Sequence, residues 1–231
     1  MLLLAIDTST TAITVALHDG SQVVAETTTL DARGHAEHLA PGIAEALSSA
    51  GAAPGDLTAI ACGLGPGPFT GLRVGIVTGR TMALATGARL LGVCSLDALA
   101  AEASGRGMAG ELLVATDARR KEVYWARYTL GYAGASPTVV RLTDPAVTRP
   151  GELPPEVRGL PVAGRGAVLY PEAFGSALMP PLLDVSAAWL AQLVVARLAA
   201  GEPVDEREPF YLRRPDAVPS AAAATAKSAI G

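Results

Sequence analysis

A run of glycines between residues 63 and 79 constrains the fold more than any other feature of the sequence. The apolar residues 58 to 64 predict a buried strand, and the Gly-Pro-rich turn that follows is short and stiff. Thr70 is a candidate N-cap for a helix after that turn. Small residues then recur at every fourth position, at Gly71, Gly75, Gly79 and Ala83. This spacing places them on one helical face, so another backbone can approach that face closely.

The residues alone allow three interpretations of this glycine stripe. It can pack on the sheet of its own chain, or it can face a helix of another subunit, with the helix predicted for residues 35 to 50 beside it. The turn before it can also hold a phosphate, because free amides at a helix N-terminus bind anions. A Walker A loop is excluded, since no Gly-Lys-Ser or Gly-Lys-Thr follows the turn.

The composition limits the class of protein. Half of the 231 residues are hydrophobic, which is enough for a sizeable core. A formal net charge of -4 argues against non-specific binding of nucleic acid. Cys62 and Cys94 lie in apolar runs, so we expect free thiols in a reducing compartment. Because the N-terminal apolar run stops at Asp7, we predict no signal peptide, no membrane span and a cytoplasmic protein.

One pattern of predicted elements occurs twice. An apolar strand ends at Asp7 and is followed by a polar turn and a hairpin. A second apolar strand ends at Asp117, and again a turn and alternating strands follow. We therefore expect an α/β protein with an N-terminal lobe over residues 1–105 and a C-terminal lobe over residues 106–216. The Ala-rich residues 217–231 are expected to form a poorly packed tail.

The two aspartates at the strand ends are the candidate nucleotide-binding groups. Asp7, Thr8 and Ser9 provide the carboxylate and hydroxyls that can hold a Mg-phosphate group, although a polar hairpin turn has the same composition. In the second turn, Arg119 follows Asp117 at the position where a glycine would let the backbone approach an anion. We predict no catalytic residue in either turn.

Histidines are too few to predict a metal centre. His35 and His38 lie three residues apart on a predicted helix, but a zinc or iron site needs at least three protein ligands. The helical metallopeptidase motif His-Glu-x-x-His is also missing from this run. We therefore expect both histidines to be exposed and structural, with no bound metal.

Four sequence motifs resemble the TsaB (YeaZ) family. They occur in the family's order and span most of the chain, and the glycine turn among them is close to diagnostic. The motifs are Leu4-Ala-Ile-Asp-Thr-Ser9, Gly63-Leu-Gly-Pro-Gly-Pro-Phe-Thr-Gly-Leu-Arg73, Asp117-Ala-Arg119 with Glu122-Val-Tyr124, and Pro209-Phe-Tyr-Leu-Arg213.

The resemblance implies a two-lobed fold of the actin-like, sugar kinase and heat-shock ATPase (ASKHA) superfamily, with duplicated ribonuclease H-like lobes. It also implies a role in forming N6-threonylcarbamoyladenosine beside the anticodon of tRNA. In that family TsaB is the non-catalytic partner of its paralogue TsaD, which transfers the threonylcarbamoyl group and holds ATP and a metal. The ATPase TsaE joins them, and TsaB also forms homodimers. We therefore expect no tightly bound cofactor, and contact with tRNA only through the partners.

Two departures from TsaD favour a lost active site in this chain. Leu39 stands where TsaD has its second metal-binding histidine, and Arg119 replaces the phosphate-turn glycine. An ATP-dependent transferase or kinase, or a metallopeptidase as the older names glycoprotease and peptidase M22 suggest, remains the alternative. The expected subunit interface comprises His35, Leu39, Ile43, Gly71, Arg73, Val74, Gly75, Gly79 and Met82.

Overall fold

The computed structural model describes residues 1–133, 136–204 and 208–213, without side-chain detail for residues 133, 136 and 137. The strands are β1 (Leu3–Asp7), β2 (Ala12–His18), β3 (Val23–Leu30), β4 (Ala59–Gly63), β5 (Arg89–Val93), β6 (Gly110–Asp117), β7 (Val123–Ala133), β8 (Ser136–Arg141), β9 (Ala146–Thr148) and β10 (Val162–Ala163). The α-helices are α1 (His35–Ser49), α2 (Phe69–Thr86), α3 (Ser95–Gly105), α4 (Pro155–Arg158), α5 (Gly166–Leu169) and α6 (Ala187–Ala199). Short 3-10 helices cover Pro54–Asp56, Pro150–Glu152 and Pro171–Ala173. The predicted tail, residues 217–231, lies outside the described residues.

The first sheet has the strand order β3-β2-β1-β4-β5. Its first three strands form an antiparallel meander, in which Asp7 pairs with Thr14. Strands β4 and β5 run parallel to β1. Because parallel strands end at the same edge of a sheet, the end of β1 at Asp7 lies beside the end of β4 at Gly63. This arrangement brings the first polar turn and the glycine turn together.

The second sheet repeats the same order in reduced form. It runs β10-β6-β7-β8, with β6, β7 and β8 antiparallel and β10 parallel to β6, while β9 pairs separately with β7. Strands β6, β7, β8 and β10 thus correspond to β1, β2, β3 and β4 of the first sheet. Asp117 ends β6 as Asp7 ends β1. The predicted duplication of α/β lobes is confirmed by this repeated order.

The chain forms five layers because both faces of each sheet are covered. Along β1, Leu4 and Ile6 point to the core beneath α1 and α2, whereas Leu3 and Ala5 point to a central core with α3 and α6. This alternation follows from the two-residue period of a strand. The far face of the second sheet carries α4 and α5. The continuous apolar character of β1 is therefore that of a strand buried on both faces.

The central layer joins the two lobes. Helix α6 comes from the C-terminal half of the chain, yet it packs on β1 and β2 of the first sheet, and α3 packs on the second sheet. Buried Asp97 of α3 accepts hydrogen bonds from Tyr128 Oη at 2.9 Å, Arg141 Nη1 at 3.1 Å and Arg197 Nη2 at 2.9 Å. These three partners lie on β7, β8 and α6, so one carboxylate links elements of both halves.

The predicted N-cap of α2 differs from the structure. Pro68 is the N-cap of α2, and the helix begins at Phe69, so Thr70 lies inside the first turn and does not cap it. The N-cap of α3 is Cys94. The Ser95 side chain, at the first position of α3, contacts the first polar turn through Asp7. Pro68 fits the start of α2 because the helix needs no amide hydrogen at that position.

Candidate functional site

Asp7 lies at the end of β1, and its carboxylate is engaged by its own chain. Oδ1 accepts hydrogen bonds from the Ser9 amide at 2.8 Å and from the Ser9 hydroxyl at 2.7 Å. Oδ2 accepts a hydrogen bond from the Ser95 hydroxyl at 2.6 Å. Burial raises the pKa of Asp7, and the hydrogen bonds from Ser95 and Ser9 oppose that rise only in part. The carboxylate thus ties the first turn to the start of α3.

The glycine turn covers Asp7 from the neighbouring strand. A Cβ atom on Gly63 would lie well under 3.0 Å from Asp7 Oδ2, and a Cβ on Gly67 would overlap the Ser9 backbone. The Ser95 hydroxyl fixes this turn by accepting a hydrogen bond from the Gly65 amide at 2.9 Å. Glycine is needed here because a side chain would displace the Asp7 turn. The backbone of the glycine turn therefore occupies the space beside Asp7 and Ser9.

The glycine stripe of α2 packs on the sheet of its own chain. Thr8 Oγ1 donates a hydrogen bond to Gly71 O at 2.8 Å and accepts one from Gly75 N at 3.0 Å. A Cβ on Gly75 would overlap Thr8 Oγ1, and a Cβ on Gly79 would overlap Cys62 Sγ. The prediction that Gly71, Gly75 and Gly79 face another subunit is therefore wrong. The backbone that comes close to the glycines belongs to the same chain, at β1 and β4.

Three predicted interface residues on α1 are also buried within the chain. Leu39 and Ile43 are 1% and 5% exposed and belong to the core between α1, α2 and the first sheet. His35 is 7% exposed, and its Nε2 lies 3.0 Å from Thr10 O. The prediction that these residues form an interface is wrong, as is the prediction that His35 is exposed. His38 is partly exposed beside Asp31, with Nε2 and Oδ2 3.4 Å apart.

The solvent-facing side of α1 and α2 offers a different surface. Val77 and Leu84 are 55% and 88% exposed on α2, and the Arg73 guanidinium lies over the Phe69 ring at 5.0 Å. The predicted interface residues Val74 and Met82 are half-buried at the edges of this side, and Arg73 is exposed on it. On α1 the exposed residues include three alanines, Ala36, Ala40 and Ala44. We call Ala36, Ala40, Ala44, Arg73, Val77 and Leu84 the outer helical face. Val77 and Leu84 were missed, although their seven-residue spacing already placed two apolar side chains on one helical face.

The second polar turn is occupied by cationic side chains. Asp117 Oδ1 accepts a hydrogen bond from the Arg119 amide at 2.7 Å, and the Arg119 guanidinium lies 3.5 Å from Oδ2. Arg165 forms a bidentate pair with Asp184 at 2.9 and 2.6 Å. Asp117, Arg119 and Arg165 share with Thr10 a cavity of only about 10 Å³ between the two lobes. Such a space holds about one water molecule.

A much larger cleft opens beside these turns. Its volume is about 550 Å³, and it lies between the starts of α1 and α2, the second polar turn and the C-terminal segment. Three of the four sequence motifs contribute to it, through Phe69, Tyr124 and Tyr211 among others. The Phe69 and Tyr211 rings are 5.2 Å apart, and Arg213, which also lines the cleft, pairs with Glu122. These motifs lie far apart in the sequence, and the fold brings them to one place.

Neither a metal cluster nor a membrane helix is found in the described part of the chain. Within residues 1–133, 136–204 and 208–213, no three His, Cys, Asp or Glu side chains lie together as metal ligands would. No helix among these residues is long and apolar enough to cross a membrane.

Comparison with known proteins identifies relatives, some of which match nearly the whole chain. A model of the family described as TsaD, tRNA N6-adenosine threonylcarbamoyltransferase, matches residues 22–179. An uncharacterized protein of Mycobacterium tuberculosis is 42% identical over 221 residues, which are 94% of each chain. The tRNA threonylcarbamoyladenosine biosynthesis protein TsaB of Escherichia coli is 40% identical over 128 residues, 55% of each chain. The solved structure of YeaZ from Pseudomonas aeruginosa has a TM-score of 0.75 and 31% identity, covering 91% of this chain and 100% of that one.

These similarities agree with the two-sheet architecture. The repeated strand order is that of the two-lobed ASKHA fold which the sequence motifs implied. The glycine turn, the second polar turn and the C-terminal segment, which carry the resemblance, converge on the cleft. From the family model, the full-length similarity to YeaZ and the identity to TsaB, we conclude that the chain belongs to the TsaB (YeaZ) branch of the TsaD family.

Proposed function

We propose that this chain acts in the formation of N6-threonylcarbamoyladenosine in tRNA, as a subunit without catalytic activity of its own. The observation that carries the proposal is the occupied first turn. The side chains of Asp7, Thr8 and Ser9 form their hydrogen bonds within the same chain, and the glycine turn covers these three residues. A turn that held Mg-phosphate would have to leave such groups accessible to the ligand.

The second turn supports the same conclusion. Arg119 and Arg165 line the small cavity between the lobes together with Asp117. A magnesium ion there would meet two guanidinium groups, and like charges at short range repel strongly in a partly buried site. We therefore assign ATP and the metal of the reaction to the partner subunits, with no tightly bound cofactor on this chain.

Isothermal titration of the isolated chain with Mg-ATP tests this part of the proposal. We expect no binding in the micromolar range. Saturable micromolar binding that disappears in an Asp7→Ala variant of unchanged stability would contradict it, and would favour an ATP-dependent transferase or kinase.

The proposed partner is a TsaD-like catalytic homologue that docks on the outer helical face. The three exposed alanines of the outer helical face allow a helix of the partner to come close, and Val77 and Leu84 supply exposed apolar surface. A second copy of this chain would use the same face, so we expect homodimer and heterodimer to exclude each other. A TsaE-like ATPase is expected to join the heterodimer. We assign the complex to the cytoplasm, because Cys62 and Cys94 are buried thiols that form no disulfide with each other.

Co-expression with the TsaD-like and TsaE-like proteins of the same genome, followed by affinity purification, tests the docking face. Leu84→Asp should lower recovery of the TsaD-like protein at least tenfold, because it places a charge within an apolar contact. Val168→Asp is the matched control, since Val168 is likewise an exposed apolar residue, at 56% against 88% for Leu84, but lies on α5 in the other lobe. If the TsaD-like protein is recovered normally with Leu84→Asp but lost with Val168→Asp, the interface lies on the other lobe and the proposed docking face is wrong.

A further inference from the structure

We propose that the cleft and the turn beside it bind the phosphodiester backbone of RNA directly. The inference rests on the proposed function, since the RNA would be the substrate tRNA. It departs from the expectation that tRNA is reached only through the partner subunits. The surface consists of the cleft and of Arg119, Arg120 and Lys121, which we call the cationic turn.

The charge of the cleft is opposite to that of the protein. The chain carries a formal net charge of -4. Among the described residues that line the cleft, Arg33, Arg119, Arg120 and Arg213 are arginines, His35 is a histidine, and none is an aspartate or glutamate. Clefts lined by one sign of charge concentrate the field and attract ligands of the opposite sign. Arg119 and Arg213 pair with Asp117 and Glu122, which lie outside the lining. The lining itself exposes cationic side chains and no carboxylate, so the cleft favours an anionic ligand.

The cationic turn holds three charges side by side in an uncommon backbone conformation. Arg119, Arg120 and Lys121 have φ values of 61°, 51° and 61°, in the left-handed region that side chains rarely adopt. Hydrogen bonds from the Arg119 amide to Asp117 and from the Glu122 amide to Arg119 O fix the turn. All three cationic residues are exposed. Strained backbone of this kind is common at functional sites.

The position of the cationic turn favours a polymeric anion over a single nucleotide. Arg119 and Arg120 line the cleft, whereas Lys121 lines a second hollow of about 370 Å³. Arg158 and Tyr170 also line this second hollow, together with one carboxylate, Glu172. A single strand of RNA can cross the cationic turn from one hollow to the other, whereas a mononucleotide is too short to do so.

Aromatic side chains in the cleft favour nucleic acid over an acidic peptide. Tyr211 is 45% exposed, and its ring meets the Phe69 ring at 47°. Proteins that bind single-stranded nucleic acid combine a positively charged groove with aromatic rings on which bases stack. The cleft provides both features, so bases can contact Tyr211 while phosphates contact the arginines.

Fluorescence anisotropy with a fluorescein-labelled, unmodified tRNA transcript and the full chain tests the proposal over a range of salt concentrations. The double variant Arg33→Gln/Lys121→Gln should weaken binding about fivefold or more and reduce the slope of log Kd against log salt by about 1 to 2, since each lost phosphate contact removes about one unit. Arg33→Gln alone, outside the strained turn, should give a smaller change of the same sign. Arg89→Gln on β5 is the control and should change neither quantity.

Three results would overturn the inference. One is equal weakening by Arg89→Gln, which would indicate non-specific attraction. Another is displacement of the tRNA by AMP or ATP at equal phosphate concentration, which would indicate a mononucleotide site. The third is equally effective displacement by poly-glutamate, which would indicate an acidic protein segment. If any of these results is found while the TsaD-like partner is still recovered, the RNA-binding inference fails and the proposed function stands. If the tRNA experiment gives the expected result but the partner is not recovered, only the proposed function is contradicted.

Discussion

Replacing Gly75 by alanine should destabilise the isolated protein, although alanine is the better helix former. The new Cβ would lie well under 3.0 Å from Thr8 Oγ1. Helix propensity favours alanine by about 1 kcal/mol. Overpacking costs about 1–3 kcal/mol, and disturbing the Thr8 hydroxyl, which bonds to Gly71 O and Gly75 N, costs about 1 kcal/mol more. We therefore expect the free energy of unfolding to fall by a net value of about 1–3 kcal/mol.

Urea denaturation of wild type, Gly75→Ala, Thr8→Ala and their double variant measures this effect and its cause. Thr8→Ala removes the atom that the new methyl group meets. The double variant Thr8→Ala/Gly75→Ala should therefore lose less stability than the sum of the single variants, by about 1 kcal/mol. Gly159→Ala is the control, because its Cβ would have nothing within 4 Å and its φ is -91°. We expect its free energy of unfolding to stay within about 0.5 kcal/mol of wild type.

A different outcome would refute this account of the stripe. If Gly75→Ala unfolds at the same urea concentration as wild type but fails to bind the TsaD-like partner, then the glycines face the partner and not β1.

Three further predictions concern buried groups. Asp97→Ala should lower the free energy of unfolding by about 3 kcal/mol or more, because it leaves two partly buried arginines without their carboxylate; urea denaturation measures this. Burial raises the pKa of Asp7 in the folded state above its ordinary 3.8. The folded state therefore loses stability relative to the unfolded state as pH rises from about 4 to the folded-state pKa of Asp7. The stability of Asp7→Asn relative to wild type should therefore increase with pH from about 4 and then level off, and a difference that falls with pH would contradict this. The Cys62 thiol, with a pKa raised to about 12, should react with a thiol reagent only when the protein unfolds, at the rate of unfolding.

Much of the fold was predictable because its signals are local. The apolar runs ending at Asp7 and Asp117, each followed by a polar turn and a hairpin, predicted the three antiparallel strands that recur in both sheets. The helix predicted for residues 35 to 50 is observed as His35–Ser49. The position of α6 was not predictable from such signals, because its apolar face fits either sheet. Only the complete fold places it on β1 and β2.

The site was harder to predict than the fold. The spacing of Gly71, Gly75 and Gly79 showed that a backbone comes close, but small residues accept any backbone. What selects β1 is Thr8, whose hydroxyl bonds to α2 at two points. The cleft was missed for a related reason. It is built from segments about 50 to 90 residues apart, around Phe69, Arg119 and Tyr211, and no local pattern links them.

Reconstitution with single omissions tests the central claim most directly. The TsaD-like protein, the TsaE-like protein and this chain would be combined with tRNA transcript and the substrates of the reaction, and N6-threonylcarbamoyladenosine would be measured by mass spectrometry of the digested RNA. We predict product with all three proteins, with product lost when this chain is omitted and none from this chain alone. Product from this chain alone, or undiminished product without it, would contradict the claim that it is a required subunit without catalytic activity.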